Sequence, residues 1–280
     1  MDWIVHMQQT AEREGRRSLR PDKWGINGFL TALAKSGEPT MGEEAEEVLD
    51  QMIEYIHRGW VELKPCVLTF TNVCHCIALS GADDAVERCL GIIRRMEGYH
   101  EQGFGDVRPS CYTWNTVINA AAKSKRKGKA QIAFQILRRM QELALRPPTV
   151  TYNSVLNACG YADNPEDDPD EILDIATTVF EEANNPNYIT YSSYLRCICV
   201  FVKDGTKKRE LTWKIYKKCC QDGQLTQMVM KQIRRCLTTQ QYKEVVADAM
   251  DPKRSEYKED YTKNAQLAKL SPDFRNSNHD

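Results

Sequence analysis

Net charge, long apolar runs and the short spacings used by metal and phosphate chemistry are all scarce in this chain. With 38 basic residues against 39 acidic ones, the overall charge gives no attraction toward a polyanion or an anionic surface. No stretch of about 18 apolar residues occurs, so no membrane-spanning helix and no membrane partner are expected. A Cys-x-x-Cys pair is also missing. Cys74-His75-Cys76 and Cys197-Ile198-Cys199 place their thiols two residues apart, which on a helix point in different directions, so they read as small core residues rather than zinc ligands. The acidic run Asp163, Glu166, Asp167, Asp168, Asp170, Glu171 lacks the central glycine of a calcium loop and reads as a solvated insertion. No glycine-rich phosphate loop, nucleophile triad or paired-acid setting stands out. Neither an enzyme nor a cofactor is therefore expected.

Eleven cysteines without the regular spacing of a disulfide framework suggest free thiols in a reducing compartment. Asp2, Glu12 and Glu14 fit poorly with an acid-poor transit peptide. Basic residues do cluster locally, at Lys123, Lys125, Arg126, Lys127 and Lys129, at Arg94-Arg95, at Arg138-Arg139 and at Lys207-Lys208-Arg209. The default reading of each cluster is a solvated face.

What the chain does contain is a motif written four times, Pro-x-x-x-Thr-aromatic-polar. The copies run Pro65 to Thr71, Pro109 to Asn115, Pro147 to Asn153 and Pro186 to Ser192, with a weaker one at Pro21 to Asn27. The residue after the aromatic recurs in steps of 44, 44, 38 and 39. A period of this size is the signature of stacked repeats, each a supersecondary unit that cannot bury its apolar face alone.

Within a unit the spacing is helical. Trp114, Val117, Ile118 and Ala121 fall at intervals of three and four and form one stripe. The first helix stops at small residues, seen at Ala34-Lys35-Ser36-Gly37, Ala78-Leu79-Ser80-Gly81 and Ala121-Ala122-Lys123-Ser124, which favour chain reversal. Second helices follow over Ala45 to Ile56, Ala85 to Met96, Ala130 to Leu143 and Ile172 to Glu182. The proline of the next motif closes the connection, because the residue before proline is pushed out of helical geometry. Extra residues at Glu38 to Gly42, Gly98 to Gly105 and Asp163 to Asp170 are assigned to connections, where added length costs little closure entropy. The expected fold is all-α, a right-handed α-solenoid of stacked antiparallel helical hairpins. Its first helices would share one surface.

The unit Thr-aromatic-Asn-x-Val-Ile/Leu, followed by Ala-Lys-Ser and a closing Arg-Met and Pro, resembles the pentatricopeptide repeat family. The closest copies lie in residues 107–192. The resemblance implies a helical-hairpin stack that binds single-stranded RNA in mitochondria or plastids, with about one nucleotide per repeat. It implies a role in RNA processing, stability or translation, exerted by occupying a short segment alongside other RNA-processing proteins.

In that family the residue after the aromatic pairs with the last residue before the next repeat to read one base. Carried over, the pairs are Asn27 with Cys66, Thr71 with Ser110, Asn115 with Pro148, and Asn153 with Asn187, and Ser192 begins another. Amides and hydroxyls supply the donors and acceptors that Watson–Crick edges need; Cys66 and Pro148 depart from the usual Asp, Asn or Ser. Two residues before the aromatic stand Trp24, Leu68, Tyr112, Val150 and Ile189. These either sandwich bases or pack between repeats. Lys35 and Lys123, equivalent residues at the ends of first helices, either meet phosphates or sit as ordinary helix-terminal lysines.

The implied layout is a partial repeat over 1–20 (second helix only), repeats over 21–66, 67–110, 111–148 and 149–187, a degenerate fifth over 188–227, capping helices over 228–250, and a disordered polar tail over 251–280. Two other readings stay open: a protein-binding scaffold of the tetratricopeptide type, whose period of about 34 residues the chain does not keep, and a non-catalytic fragment of a larger RNA-processing enzyme.

Overall fold

A computed structural model describes residues 3–16, 20–105 and 107–250. The tail over 251–280 lies outside them. The described residues contain helices and no strand, so the expected all-α class holds. The helices are α1 (Trp3–Glu14), α2 (Lys23–Ser36), α3 (Met41–His57), α4 (Val67–Ser80), α5 (Ala85–Glu101), α6 (Cys111–Lys123), α7 (Lys129–Glu142), α8 (Thr149–Gly160), α9 (Pro169–Glu182), α10 (Tyr188–Phe201), α11 (Gly205–Gln221), α12 (Gln227–Cys236) and α13 (Thr239–Met250).

The described residues fall into two compact units, one running to Arg126 and including Arg138–Arg146, the other made of Lys127–Leu137 and the residues from Pro147 to Met250. In the first unit α2 packs on α4 and α4 on α6, while α3 and α5 fill the spaces between successive first helices. The second unit repeats the plan, with α8 on α10, α10 on α12, and α9 and α11 between them. α7 contributes residues to both units.

The recurring threonine has a local cause. Each first helix that carries the motif starts two residues after its proline, with the N-cap between them, and its third residue returns to the cap. Thr69, Thr113 and Thr190 accept hydrogen bonds from the backbone N–H of the N-cap residues Cys66, Ser110 and Asn187, satisfying donors that a helix end otherwise leaves orphaned. In α8 the cap is Pro148, which has no N–H to give, and the Thr151 hydroxyl is buried without a partner.

The residue after the threonine is core: Phe70 and Tyr191 are fully buried, with Trp114 and Tyr152 nearly so. Burying each such side chain contributes about 1.5–3 kcal/mol. Two first helices end on left-handed glycines, Gly37 at φ 73° and Gly81 at φ 74°, a conformation that side chains with a Cβ avoid.

The structure differs from the sequence reading at the second helices. α3 begins at Met41 and α5 runs on to Glu101, so parts of the segments taken as connections, Glu38 to Gly42 and Gly98 to Gly105, are helix. α9 likewise begins at Pro169, with Asp168 as its cap. Proline at the first helical position and a carboxylate cap both favour that start.

The acidic run is not merely solvated either. Glu166 pairs with Lys127 at 3.0 Å, Asp163 with Lys129 at 3.1 Å, and Asp167 accepts from the Gly128 N–H at 2.8 Å. Arg126, in the same basic cluster, is paired with Glu87. The cluster is thus largely neutralised by partners, and the alternating acidic and basic segments meet in space.

Candidate functional site

Counting from the N-cap puts the first helices in one register. The caps are Asp22, Cys66, Ser110, Pro148, Asn187 and Thr226. The residue two beyond each cap is Trp24, Leu68, Tyr112, Val150, Ile189 and Met228, and these are 67, 46, 62, 53, 38 and 50% exposed. They stand proud of the helices and are not hairpin core. Within each unit the stacking of first helices carries this apolar row from one repeat to the next. Met228 extends it beyond the residues found by sequence, because α12 lacks both the opening proline and the Thr-aromatic pair. Lys23 lies 5.3 Å from the Trp24 ring, adding a cation beside the first member.

The residues five beyond the cap behave differently. Asn27, Thr71, Asn115, Asn153 and Ser192 are only 2–7% exposed, and Asn27, Thr71 and Asn153 reach across the seam to the neighbouring first helix. Asn27 Nδ2 donates to Cys66 Sγ at 3.7 Å. Asn153 Nδ2 donates to Asn187 Oδ1 at 3.3 Å, while its Oδ1 accepts from the Thr190 hydroxyl at 2.6 Å. Thr71 reaches Ser110 through Thr113, with Oγ1 separations of 2.8 and 3.0 Å. Three of the four residue pairs taken from the resemblance are therefore neighbours; Asn115 and Pro148 belong to different units. The amide oxygens of Asn27 and Asn115 are buried without a hydrogen-bond partner, an arrangement that costs about 1–3 kcal/mol per group and leaves an acceptor able to gain from a donor.

Nine residues beyond the cap lies a second surface row, Thr31 with His75 and Asn119 in the first unit and Asn157 with Arg196 and Arg235 in the second. Asn72, on α4, donates weakly to Asn27 O and Thr31 Oγ1, both at 3.4 Å, tying this side of the seam. Burial, aided by the charge of Lys123, holds His75 below its ordinary pKa, so it is neutral at pH 7. Lys35 and Lys123 are exposed in the last turns of α2 and α6, where a cation complements the helix dipole.

No cluster of three or more potential ligands able to hold a metal ion exists among the described residues, and none of their helices is long and apolar enough to cross a membrane. All eleven cysteines are free. Cys74, Cys76 and Cys197 are buried as expected, but Cys199 is only half-buried. In its thiol form the Sγ donates to the Arg235 carbonyl at 3.3 Å.

The arrangement offers exposed apolar side chains at one register position of the successive first helices within each unit, near amides and hydroxyls, which suits stacking on flat unpaired rings. Comparison with curated proteins gives no match. Residues 100–162, spanning α6, α7 and α8, match the family model described as the pentatricopeptide repeat domain, and in that segment the chain carries the repeat it resembles.

Proposed function

We propose that this protein binds single-stranded RNA through the exposed row on its first helices and acts by occupying a short segment, blocking or positioning it for other factors. The observation that carries the reading is the exposed row in each unit, Trp24, Leu68 and Tyr112 in the first and Val150, Ile189 and Met228 in the second: large apolar side chains, held out of the core at one register position in every repeat. Stacking of a base on such a side chain contributes about 1–3 kcal/mol and tolerates any base. Selectivity is assigned to the seam residues Asn27, Thr71, Asn115, Asn153 and Ser192 with their partners Cys66, Ser110, Pro148 and Asn187; the lysines Lys35 and Lys123 are assigned to phosphates. The same resemblance supports a role in mitochondrial or plastid RNA processing, by binding rather than catalysis.

Crosslinking to total RNA followed by sequencing of the bound fragments tests this. Enrichment of a short common segment is expected, weakened by Asn115→Ala with Asn153→Ala. Recovery of protein partners without any crosslinked RNA would move the reading to the scaffold alternative.

A further inference from the structure

The second unit holds a basin that shares Ile189, Ser192 and Met228 with the residues assigned to bases and adds a cluster of charge that base reading does not use. Between α10 and α12, and reaching the end of α8, lies an open basin of about 910 Å³. Four cations line it, Arg196, Lys231, Arg234 and Arg235, and no carboxylate does. Among the described residues none of the four is in an ion pair. This contrasts with the basic cluster at 126–129, which partners neutralise.

The register shows where the charge enters. Five residues beyond the cap, Asn153 and Ser192 in α8 and α10 give way to Lys231 in α12. Nine beyond it, Asn157 in α8 gives way to Arg196 and then Arg235. Neutral polar side chains at equivalent places become cationic together, on adjoining helices.

Arg196 is also held in place. Its Nε donates to the Gly160 carbonyl at 2.9 Å, and its guanidinium carbon lies 3.4 Å from the Tyr161 ring centroid. A Cβ on Gly160 would stand 3.0 Å from Arg196 Cδ, so glycine is what lets the side chain lie across the end of α8. A guanidinium fixed in this way loses less entropy when it binds an anion. The field is felt nearby as well. Cys199 is held at about 6 by its hydrogen bond with Cys236 and by the charges of Lys208, Arg235 and Arg196.

We propose that this basin is a phosphate site which grips the backbone of single-stranded RNA without regard to sequence, with Arg196 and Arg235 as the paired guanidinium forks and Lys231 and Arg234 as flanking charges. The proposal rests on the RNA-binding reading and assigns a separate task to this end of the exposed row. Guanidinium groups match phosphate oxygens bidentately, which a base edge in a varying sequence would not require.

The test measures binding of labelled single-stranded RNAs of several sequences to the full chain across a salt series, with the triple variant Arg196→Gln, Lys231→Gln, Arg235→Gln. Arg58→Gln, whose parent pairs with Glu54, serves as a charge control. Helical circular dichroism and melting report folding. The expected result is a loss of affinity by the same factor for every sequence, with the slope of log K against log salt shallower by about 0.7 per cation removed. Single substitutions should give a third of that change, which keeps the test valid should the triple variant fold poorly.

Two further arms fix the ligand. Pyrophosphate at constant ionic strength should raise the melting temperature of the wild type and not of the triple variant, while poly-glutamate of equal charge should compete weakly with RNA. Unchanged affinity and salt slope in the singles and the triple, a loss confined to certain sequences, or equal competition by poly-glutamate would each overturn the phosphate site. Failure of the wild type to bind any RNA, with the pyrophosphate effect intact, would sink the RNA reading and leave an anion site. Failure of both would remove both.

Discussion

Thr71 Oγ1 and Thr113 Oγ1 lie 2.8 Å apart, joining α4 to α6 across 42 residues of chain in a seam closed to solvent. The direction of the bond follows from the other partners. Thr71 gives its proton to the Val67 carbonyl at 2.7 Å, so Thr113 must donate to Thr71, while Thr113 Oγ1 accepts from the Ser110 N–H at 3.3 Å. One hydroxyl thus caps α6 and fastens it to the preceding repeat. Thr113→Val should leave the Ser110 N–H unpaired at a cost of about 1–3 kcal/mol, a fall of several degrees in melting temperature. Thr151→Val removes a hydroxyl that is buried with no partner and should leave stability unchanged or higher. Equal effects from the two substitutions, measured by denaturant unfolding, would contradict the capping account.

The exposed row yields a prediction of the opposite kind. Tyr112 is 62% exposed and Trp24 67% exposed, so neither contributes much to packing. Alanine at either position should change stability by no more than about 0.5 kcal/mol. Affinity for single-stranded RNA should fall by roughly 5- to 150-fold per site, following the stacking range. Fluorescence anisotropy and thermal melting on the same samples separate the two effects. A large drop in melting temperature without loss of binding would return these residues to inter-repeat packing.

The period of the motif made the hairpins legible before any coordinates. Proline, cap, threonine and aromatic are all local devices, and local devices are visible in sequence. The seam burial of Asn27 and Asn153 was not, because it depends on how far neighbouring first helices approach. α12 was expected as a capping helix, but its place in the register of first helices was hidden for a related reason. Thr226 caps it through the Val229 N–H at 3.5 Å, and Met230 takes the place of the aromatic, so the helix keeps the register without the motif. Arg196 required knowledge that Gly160, 36 residues earlier, lies beneath it. The overlooked pairing of the acidic run with Lys127 and Lys129 likewise spans more than thirty residues.

Cysteine reactivity separates the buried thiols from the one beside the cations. Cys199 is held at about 6, chiefly by its hydrogen bond with Cys236 and then by Lys208, Arg235 and Arg196. Burial pushes Cys76 and Cys159 up to about 12. A thiolate is the nucleophile, and a lowered pKa means that Cys199 is ionised above about pH 6. Its alkylation by iodoacetamide should rise through pH 6 and level off by pH 7.5, with Cys76 and Cys159 unlabelled in the folded chain. Lys208→Gln should move the midpoint upward. Peptide mapping by mass spectrometry after short exposures checks each site, and a Cys199 midpoint near 8.5 would refute the assignment.

Gly160→Ala isolates the positioning of Arg196 from its charge. Glycine at the last position of α8 is a poor helix former, and alanine gains up to about 1 kcal/mol in a helix interior. Against this, the new Cβ would press on Arg196 Cδ at 3.0 Å and disturb the bond to the Gly160 carbonyl, worth about 1 kcal/mol. The two effects nearly cancel, so the melting temperature should stay within a few degrees of wild type. Binding should not stay level. With Arg196 displaced from the Tyr161 face, affinity for RNA should fall, but by less than in Arg196→Gln and with a smaller change in salt slope, because every cation is still present. Gly160→Ala combined with Arg196→Gln should then be no worse than Arg196→Gln alone, since alanine at 160 acts only through the arginine. Additive losses in that double-mutant cycle would show that Gly160 contributes to binding by some other route.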